Sequence, residues 1–382
     1  MSPSLTILEK ADLALRWPLV FLPRVLLHCI RCPLVAWRRG LPVKIYVAAG
    51  LLRSALISFS GRQMQFMCPT PAETYRAWVE TRQAAAARDG DSAALDRLRV
   101  RIDELPDGAS SILWVGNRER ASRYVLFCPG GGYLAPMAAG HLEWCYRSYV
   151  EMAAGREVAV AVLQYTLCPG ARHPTQLMQA AAALRHLLDS GVPAGHIVVG
   201  GDSAGGNLAA LLLGYLARPD CPISLPEPLA GGFLVSPWVS GATSTRSFRE
   251  NEYVDMLSAG HIRASFGEFI GDAGDRGGLD AGPGMPMDAD HEWMAGWERA
   301  TKALYVTVGA HEVLRDQGVM LAEGIRNRNE KVKVQLEIQE TDAHDFILVE
   351  GIGLCGAGKG VNGALPPRMA SQQAVISSYF DD

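Results

Sequence analysis

Short apolar runs alternate with helix-like stretches along most of the chain. Apolar runs typical of buried strands lie near residues 123–128, 158–164, 196–200, 230–236, 303–308 and 332–338. Two further runs, at 99–102 and 112–115, predict a hairpin that opens the sheet. Because strands that alternate with helices form parallel sheets covered on both faces, the pattern predicts an α/β fold. We expect a mostly parallel eight-stranded sheet flanked by helices.

The first 62 residues are strongly apolar and basic. Nine Lys or Arg residues stand against two acidic residues, a net charge of +7, and the whole chain carries −4. No uninterrupted apolar run approaches the ~20 residues that span a bilayer, and Arg24 and Arg53 interrupt the longest candidates. The segment predicts either peripheral association with a membrane surface or the lining of a hydrophobic cap. Helices packed on the catalytic body are the alternative. We expect an intracellular protein, which in the membrane case lies at the surface of the endoplasmic reticulum.

The remaining pattern divides the chain into further regions. We expect a helical cap region at 63–105 and a catalytic domain at 106–382. A helix is predicted to begin at Thr70-Pro71-Ala72-Glu73, which has the capping-box spacing, and to end near Asp89-Gly90. Residues 240–300 form a connection long enough to shape a binding pocket.

A serine between two glycines joins a strand-like run to a helix-like run at Gly201-Asp202-Ser203-Ala204-Gly205. This pattern is typical of a nucleophile elbow. The turn is so sharp that Cβ atoms on either side of it would collide, which explains the glycines. Ser203 is therefore the predicted nucleophile.

A glycine run, Gly130-Gly131-Gly132, follows the strand-like run at 123–128. Glycines at this place let backbone N–H groups point into a site. With the N–H of Ala204, these amides predict an oxyanion hole, in which each donor contributes on the order of 3 kcal/mol. The residues that follow the loop are candidates for the substrate pocket, with core packing as the alternative for the last of them. These pocket candidates are Tyr133, Leu134 and Trp144.

Four motifs in order resemble the hormone-sensitive-lipase-like family of α/β-hydrolases (α/β-hydrolase fold-3). They are Gly130-Gly131-Gly132, Tyr165-Thr166-Leu167-Cys168-Pro169, the elbow with Gly206-Asn207, and Ser236-Pro237-Trp238. The resemblance covers residues 110 to 382 and implies an N-terminal helical cap over the active site. The N-terminal architecture is similar to that of fungal steryl acetyl hydrolases and hydrolases of secondary metabolism. Pro129 stands where the family has a histidine, so other contacts must hold this loop.

The base and the acid follow the serine in this fold, in the order serine, acid, histidine. His344 follows the last strand-like run, and the family's histidine-plus-phenylalanine signature falls on His344 and Phe346. Glu312 takes the place of the family's aspartate. Asp316 is the alternative acid, although its position is also that of a first-turn helix acid. Because His344 must be neutral to act as a base, we expect activity to fall below about pH 6 to 7.

The predicted function is a serine carboxylester hydrolase that deacylates a hydrophobic ester such as an acylated sterol, lipid or polyketide-type product. Two alternatives stay open at this point. The same residues could transfer the acyl group to an alcohol or close a ring, or the fold could serve as a non-catalytic ligand receptor. We expect no metal and no cofactor, and a net charge of −4 gives no sign of a nucleic-acid partner.

Overall fold

One sheet of eight strands organises the molecule. The computed structural model describes residues 4–151, 156–271, 284–289, 291–351 and 365–381. Its strands are β1 Ile102–Glu104, β2 Ser111–Val115, β3 Arg123–Cys128, β4 Val158–Gln164, β5 Ile197–Asp202, β6 Gly231–Val235, β7 Ala303–Gly309 and β8 Lys333–Gln339. They lie in the order β1-β2-β4-β3-β5-β6-β7-β8. The β1–β2 and β2–β4 pairs are antiparallel and all other pairs are parallel, so the sheet is mostly parallel and opens with a hairpin, as predicted. The first strand begins at Ile102, three residues later than predicted.

Helices precede the sheet and connect its strands. The helices before the sheet are α1 Ile7–Arg38, α2 Val43–Leu56, α3 Gly61–Met67, α4 Pro71–Asp89 and α5 Ser92–Arg97. The later ones are α6 Ala139–Cys145, α7 Thr175–Asp189, α8 Ser203–Ala217, α9 Arg246–Asn251, α10 Ala259–Ile270, α11 Arg315–Arg328, α12 Phe346–Gly351 and α13 Pro367–Ser378. The connection predicted at 240–300 contains α9 and α10, and its residues 272–283 and 290 lie outside the described residues.

Alternate side chains of each strand enter two separate cores, one on each face of the sheet. Leu126 and Val199 pack on one face with α7, α8 and α11. Phe127 and Val198, their chain neighbours, pack on the other face with α4, α6 and α13. Both faces are therefore covered, which is why the central strands read as continuous apolar runs.

The predicted helix from Thr70 to Gly90 is confirmed at both ends. Thr70 and Glu73 form a reciprocal capping box at the N-terminus of α4, with Pro71 at its first position. Gly90 ends the helix in a left-handed conformation, at φ 69°. These caps satisfy backbone groups that the helix itself leaves without partners.

The N-terminal helix is longer than the interrupted apolar runs of the sequence indicated. Helix α1 runs for 32 residues, with one π-helical turn at Trp17–Phe21, and by length and composition it is apolar enough to span a bilayer. Arg24 does not interrupt it, because its guanidinium donates to the carbonyl of Ile57 and so turns away from the helix's outer side. The domain division at residues 62 and 105 stays a prediction.

Candidate active site

The elbow holds Ser203 at the junction of β5 and α8. Ser203 has φ 51°, a left-handed conformation that costs energy for any residue but glycine. A Cβ atom at Gly201 or at Gly205 would lie 2.1 Å or 1.9 Å from the carbonyl oxygen of Cys128. No side chain fits at those distances, so the two glycines are required by the turn itself.

The structure brings the predicted base and acid to this serine. The Nε2 atom of His344 lies 2.9 Å from Ser203 Oγ. On the other side of the ring, Nδ1 of His344 lies 3.5 Å from Glu312 Oε2, an ion-pair distance slightly longer than a good hydrogen bond. Such contacts commonly shorten when substrate binds. All three residues are buried.

Asp316 occupies a different environment. Its carboxylate accepts from the backbone N–H of Ser247 at 2.7 Å and from the guanidinium of Arg315 at 2.9 Å. It also lies in the first turn of α11, where a negative charge is favoured by the helix dipole. The geometry therefore favours Glu312 over Asp316 as the partner of His344.

A second carboxylate, which the sequence pattern did not predict, reaches the same histidine. Oδ2 of Asp345 lies 3.3 Å from Nε2 of His344, on the side that faces Ser203. Asp345 has φ 52°, and its N–H donates to Ser236 Oγ at 3.3 Å. The only sequence signal was its place directly after the histidine.

The two carboxylates change the acidity of the base. Burial alone would lower the pKa of His344, but the charges and hydrogen bonds of Asp345 and Glu312 outweigh it and raise this pKa well above 6.5. Burial raises the pKa of Asp345 to about 6. The imidazole is therefore neutral only on the alkaline side of its ordinary range.

The acid limb of the pH profile of kcat/KM is accordingly expected to have its midpoint above pH 6.5. Asp345→Asn removes one of the charges that hold the proton on His344, so in this variant the midpoint should move to lower pH. Both profiles can be measured with a soluble short-chain ester. A rate that stays constant between about pH 5 and about pH 8 would contradict His344 as the base.

A buried carboxylate also connects the loops that carry Glu312 and His344. Asp255 Oδ2 accepts from the N–H of Val313, next to Glu312, at 2.7 Å, and Oδ1 accepts from the N–H of His344 at 3.2 Å. Arg53 of α2 donates in turn to the carbonyl of Asp255 at 2.9 Å. Asp255 thus fixes the acid relative to the base, and the N-terminal segment fixes Asp255.

Contacts from Tyr165 and Asp202 hold the glycine loop, in which Pro129 stands where the family has a histidine. Tyr165 donates its hydroxyl to the carbonyl of Pro129 at 2.7 Å. The N–H of Gly130 donates to Asp202 Oδ1 at 3.1 Å, so this amide is already engaged. Within the described part of the chain, the N–H groups of Gly131 and Gly132 donate to no backbone carbonyl. The N–H of Ala204 lies in the first turn of α8, where intrahelical acceptors are lacking.

An apolar cavity of ≈180 Å³ opens over Ser203 and His344. Its walls come from the glycine loop, from α2 and from the long connection between β6 and β7. The residues from α2 are Leu52, Ala55 and Leu56, and those from the connection include Met256, Leu257 and Ile262. The connection therefore does contribute to the pocket, and one N-terminal helix lies against the site.

The three pocket candidates from the sequence do not line this cavity. Tyr133 is buried, stacks on Phe269 at a centroid distance of 3.9 Å and accepts a hydrogen bond from Asn207. Leu134 packs toward Gly61. Trp144 is fully buried and donates a hydrogen bond to Gln372. This agrees with the alternative that Trp144 packs in the core. Side chains directly after the glycine loop thus point into the core behind it.

Residues 125–348 match a family model described as alpha/beta hydrolase fold. The chain belongs to the α/β-hydrolase family. The match includes Ser203, Glu312 and His344, and it leaves the N-terminal 124 residues outside. The predicted fold class and the likeness to the hormone-sensitive-lipase group are confirmed.

Relatives of this α/β-hydrolase agree with the enzyme class. An acetyl-hydrolase of Streptomyces hygroscopicus is 29% identical over 229 residues, which are 58% of this chain and 68% of that protein. Carboxyl esterase 2 of the fungus Tuber melanosporum superposes with a TM-score of 0.58 at 19% identity, over 74% of this chain and 86% of that one. An esterase of the bacterial hormone-sensitive lipase family gives 0.57 at 21% identity, over 82% and 98%. The predicted class, a carboxylic ester hydrolase, is confirmed.

Proposed function

We propose that this chain is a serine carboxylester hydrolase that removes a short acyl group from a hydrophobic alcohol. The observation that carries the proposal is the 2.9 Å contact between Ser203 Oγ and His344 Nε2 at the base of an apolar cavity. A serine is a weak nucleophile until a base accepts its proton, and this contact supplies the base.

The proposed catalytic steps assign one role to each residue of this site. Ser203 Oγ attacks the ester carbonyl while its proton passes to Nε2 of His344, and Glu312 holds the ring with its Nδ1 proton toward the carboxylate. The amides of Gly131, Gly132 and Ala204 stabilise the oxyanion of the tetrahedral intermediate. His344 then protonates the departing alcohol. Water, deprotonated by the same histidine, cleaves the acyl-enzyme and returns Ser203 to its starting state.

The size and polarity of the cavity support the substrate class. A volume of ≈180 Å³ is close to that of an apolar cavity that holds one benzene molecule, so a short acyl chain fits. Its apolar walls favour an ester without charges near the carbonyl. A relative named as an acetyl-hydrolase is consistent with a small acyl group. An acylated sterol, lipid or polyketide-type alcohol fits this description.

Labelling with an alkyl fluorophosphonate tests the nucleophile and its activation together. We expect one adduct on Ser203 by peptide mass spectrometry, and none in Ser203→Ala or His344→Ala. A folded wild-type protein that gives no adduct would favour the receptor alternative instead. Product analysis with an acetyl ester, with and without an added alcohol, then separates hydrolysis from acyl transfer. We expect free acetate in both cases, and an acetylated alcohol would favour acyl transfer.

A further inference from the structure

Helix α1 exposes an apolar face to solvent along most of its length. Six side chains at helical spacing form this face, which we name the outer ridge, and each is more than half exposed. The outer ridge consists of Leu15, Leu19, Leu22, Leu26, Ile30 and Trp37. Soluble proteins rarely expose a continuous apolar strip of this length unless it binds something.

Several charged side chains of α1 reach toward the protein and bind groups on its body, although charged residues of a water-exposed helix usually point to solvent. Glu9 pairs with Arg62 at 2.7 Å, and Asp12 accepts from Gln63 at 2.8 Å. Arg16 donates to the carbonyl of Ser58 at 3.0 Å. Because α1 is tied to the body at successive turns, it cannot cross a bilayer without losing these contacts.

Charge at the ends of the outer ridge identifies its partner. Lys10 lies beyond one end and Arg38 and Lys44 beyond the other, and all three are exposed. The segment up to residue 62 carries +7. Two copies brought together on this face would repel each other, whereas an anionic lipid surface attracts it.

The helix that follows α1 carries exposed apolar side chains and also lines the cavity over Ser203. Val43, Val47 and Leu51 follow each other at four-residue spacing on α2 and are partly exposed. The next residues of the same helix, Leu52 and Leu56, line the cavity over Ser203. Helix α2 therefore presents apolar side chains both to solvent and to the cavity.

We propose that the outer ridge lies in the interfacial layer of an anionic membrane, with α1 parallel to the surface. An amphipathic helix in this position immerses its apolar face by about 5–10 Å. We further propose that hydrophobic esters enter the cavity from the membrane along α2. This second part rests on the proposed hydrolase function, and the first part does not.

Vesicle binding of the full chain tests the first part. We expect sedimentation with phosphatidylcholine vesicles that contain about a third phosphatidylserine, and at least about tenfold weaker binding without the anionic lipid. The variant Leu19→Gln/Leu26→Gln/Ile30→Gln should bind about a hundredfold less. A matched control, Met320→Gln/Ile338→Gln, changes apolar residues that are 51% and 45% exposed on the catalytic body and should bind like wild type.

Three results would overturn the interfacial placement. The first is equal binding of the triple variant and wild type. The second is a wild-type dimer in light scattering that the triple variant abolishes, which would make the ridge a contact between copies. The third is an N-terminus protected from protease added outside the vesicles, which would show that α1 spans.

Delivery of substrate is tested separately from catalysis. Ser203→Ala should bind vesicles as wild type does, so a failure of the hydrolase proposal leaves the binding result intact. The triple variant should retain its rate on a soluble acetyl ester and lose at least about tenfold on the same acyl group carried by a vesicle-embedded alcohol. Equal losses on both esters would contradict delivery through the membrane.

Discussion

Replacing Ser203 with alanine is expected to lower kcat about 10⁶-fold, because serine, base and acid act as one unit and the loss of the nucleophile removes the covalent route. The remaining rate over water would come from the oxyanion amides and from binding. Stability should change little, since alanine adopts φ 51° at a cost similar to that of serine. Single-turnover and steady-state rates on an acetyl ester measure the effect, with a thermal melt to confirm folding.

Ser265→Ala is the matched control. Ser265 is also buried and lines the same cavity, and within the described residues its Oγ makes no hydrogen bond. We expect kcat to stay within about tenfold of wild type in this variant. A Ser203→Ala protein that kept more than about a hundredth of the wild-type kcat would contradict the nucleophile assignment.

Replacing Glu312 with glutamine is expected to lower kcat about 10⁴-fold. Glutamine has nearly the same shape, so the buried site stays filled, but it carries no charge to stabilise the imidazolium. Its amide can also turn an N–H toward Nδ1 of His344 and so favour the tautomer that cannot accept the serine proton. Because the effect is on the chemical step, KM should change much less than kcat.

Asp316→Asn distinguishes the two candidate acids. The carboxylate of Asp316 accepts hydrogen bonds from the N–H of Ser247 and from the guanidinium of Arg315. Neither group belongs to the proposed triad. We expect a modest loss of stability and a kcat within about tenfold of wild type. If Asp316→Asn instead showed the large loss and Glu312→Gln kept its activity, the assignment of the acid would be reversed.

The sheet and the elbow were predictable because local physics determines them. Strands β3 to β7 are buried along most of their length, so their central residues are mainly apolar, and the elbow needs glycine on steric grounds alone. The triad positions follow from the order of these elements along the chain. Ser203 and His344 were predicted in this way. Glu312 was preferred to Asp316 only because it stands at the position of the family's aspartate.

The missed features depend on contacts that chain position does not determine. Asp255 accepts a hydrogen bond from the N–H of His344, which lies 89 residues later in the chain. No sequence pattern near Asp255 predicts this contact. Asp345 is the chain neighbour of His344, but the orientation of its side chain toward the imidazole depends on a left-handed backbone conformation. The basic, apolar composition of α1 was also evident, whereas the side on which its charges lie was not.

The contact between Arg53 and Asp255 has a practical consequence for work with this enzyme. Expressing a shortened chain that begins after residue 62 would be the obvious way to avoid an apolar leader, yet it would remove Arg53 together with Leu52 and Leu56. The shortened protein would lack one wall of its cavity, and Asp255, on which the relative placement of acid and base depends, would lose its support. Inactivity of such a truncated protein would therefore say nothing about whether the native enzyme needs a membrane. Polar substitutions on the outer ridge change only exposed side chains of α1 and keep the cavity wall and the support of Asp255 in place.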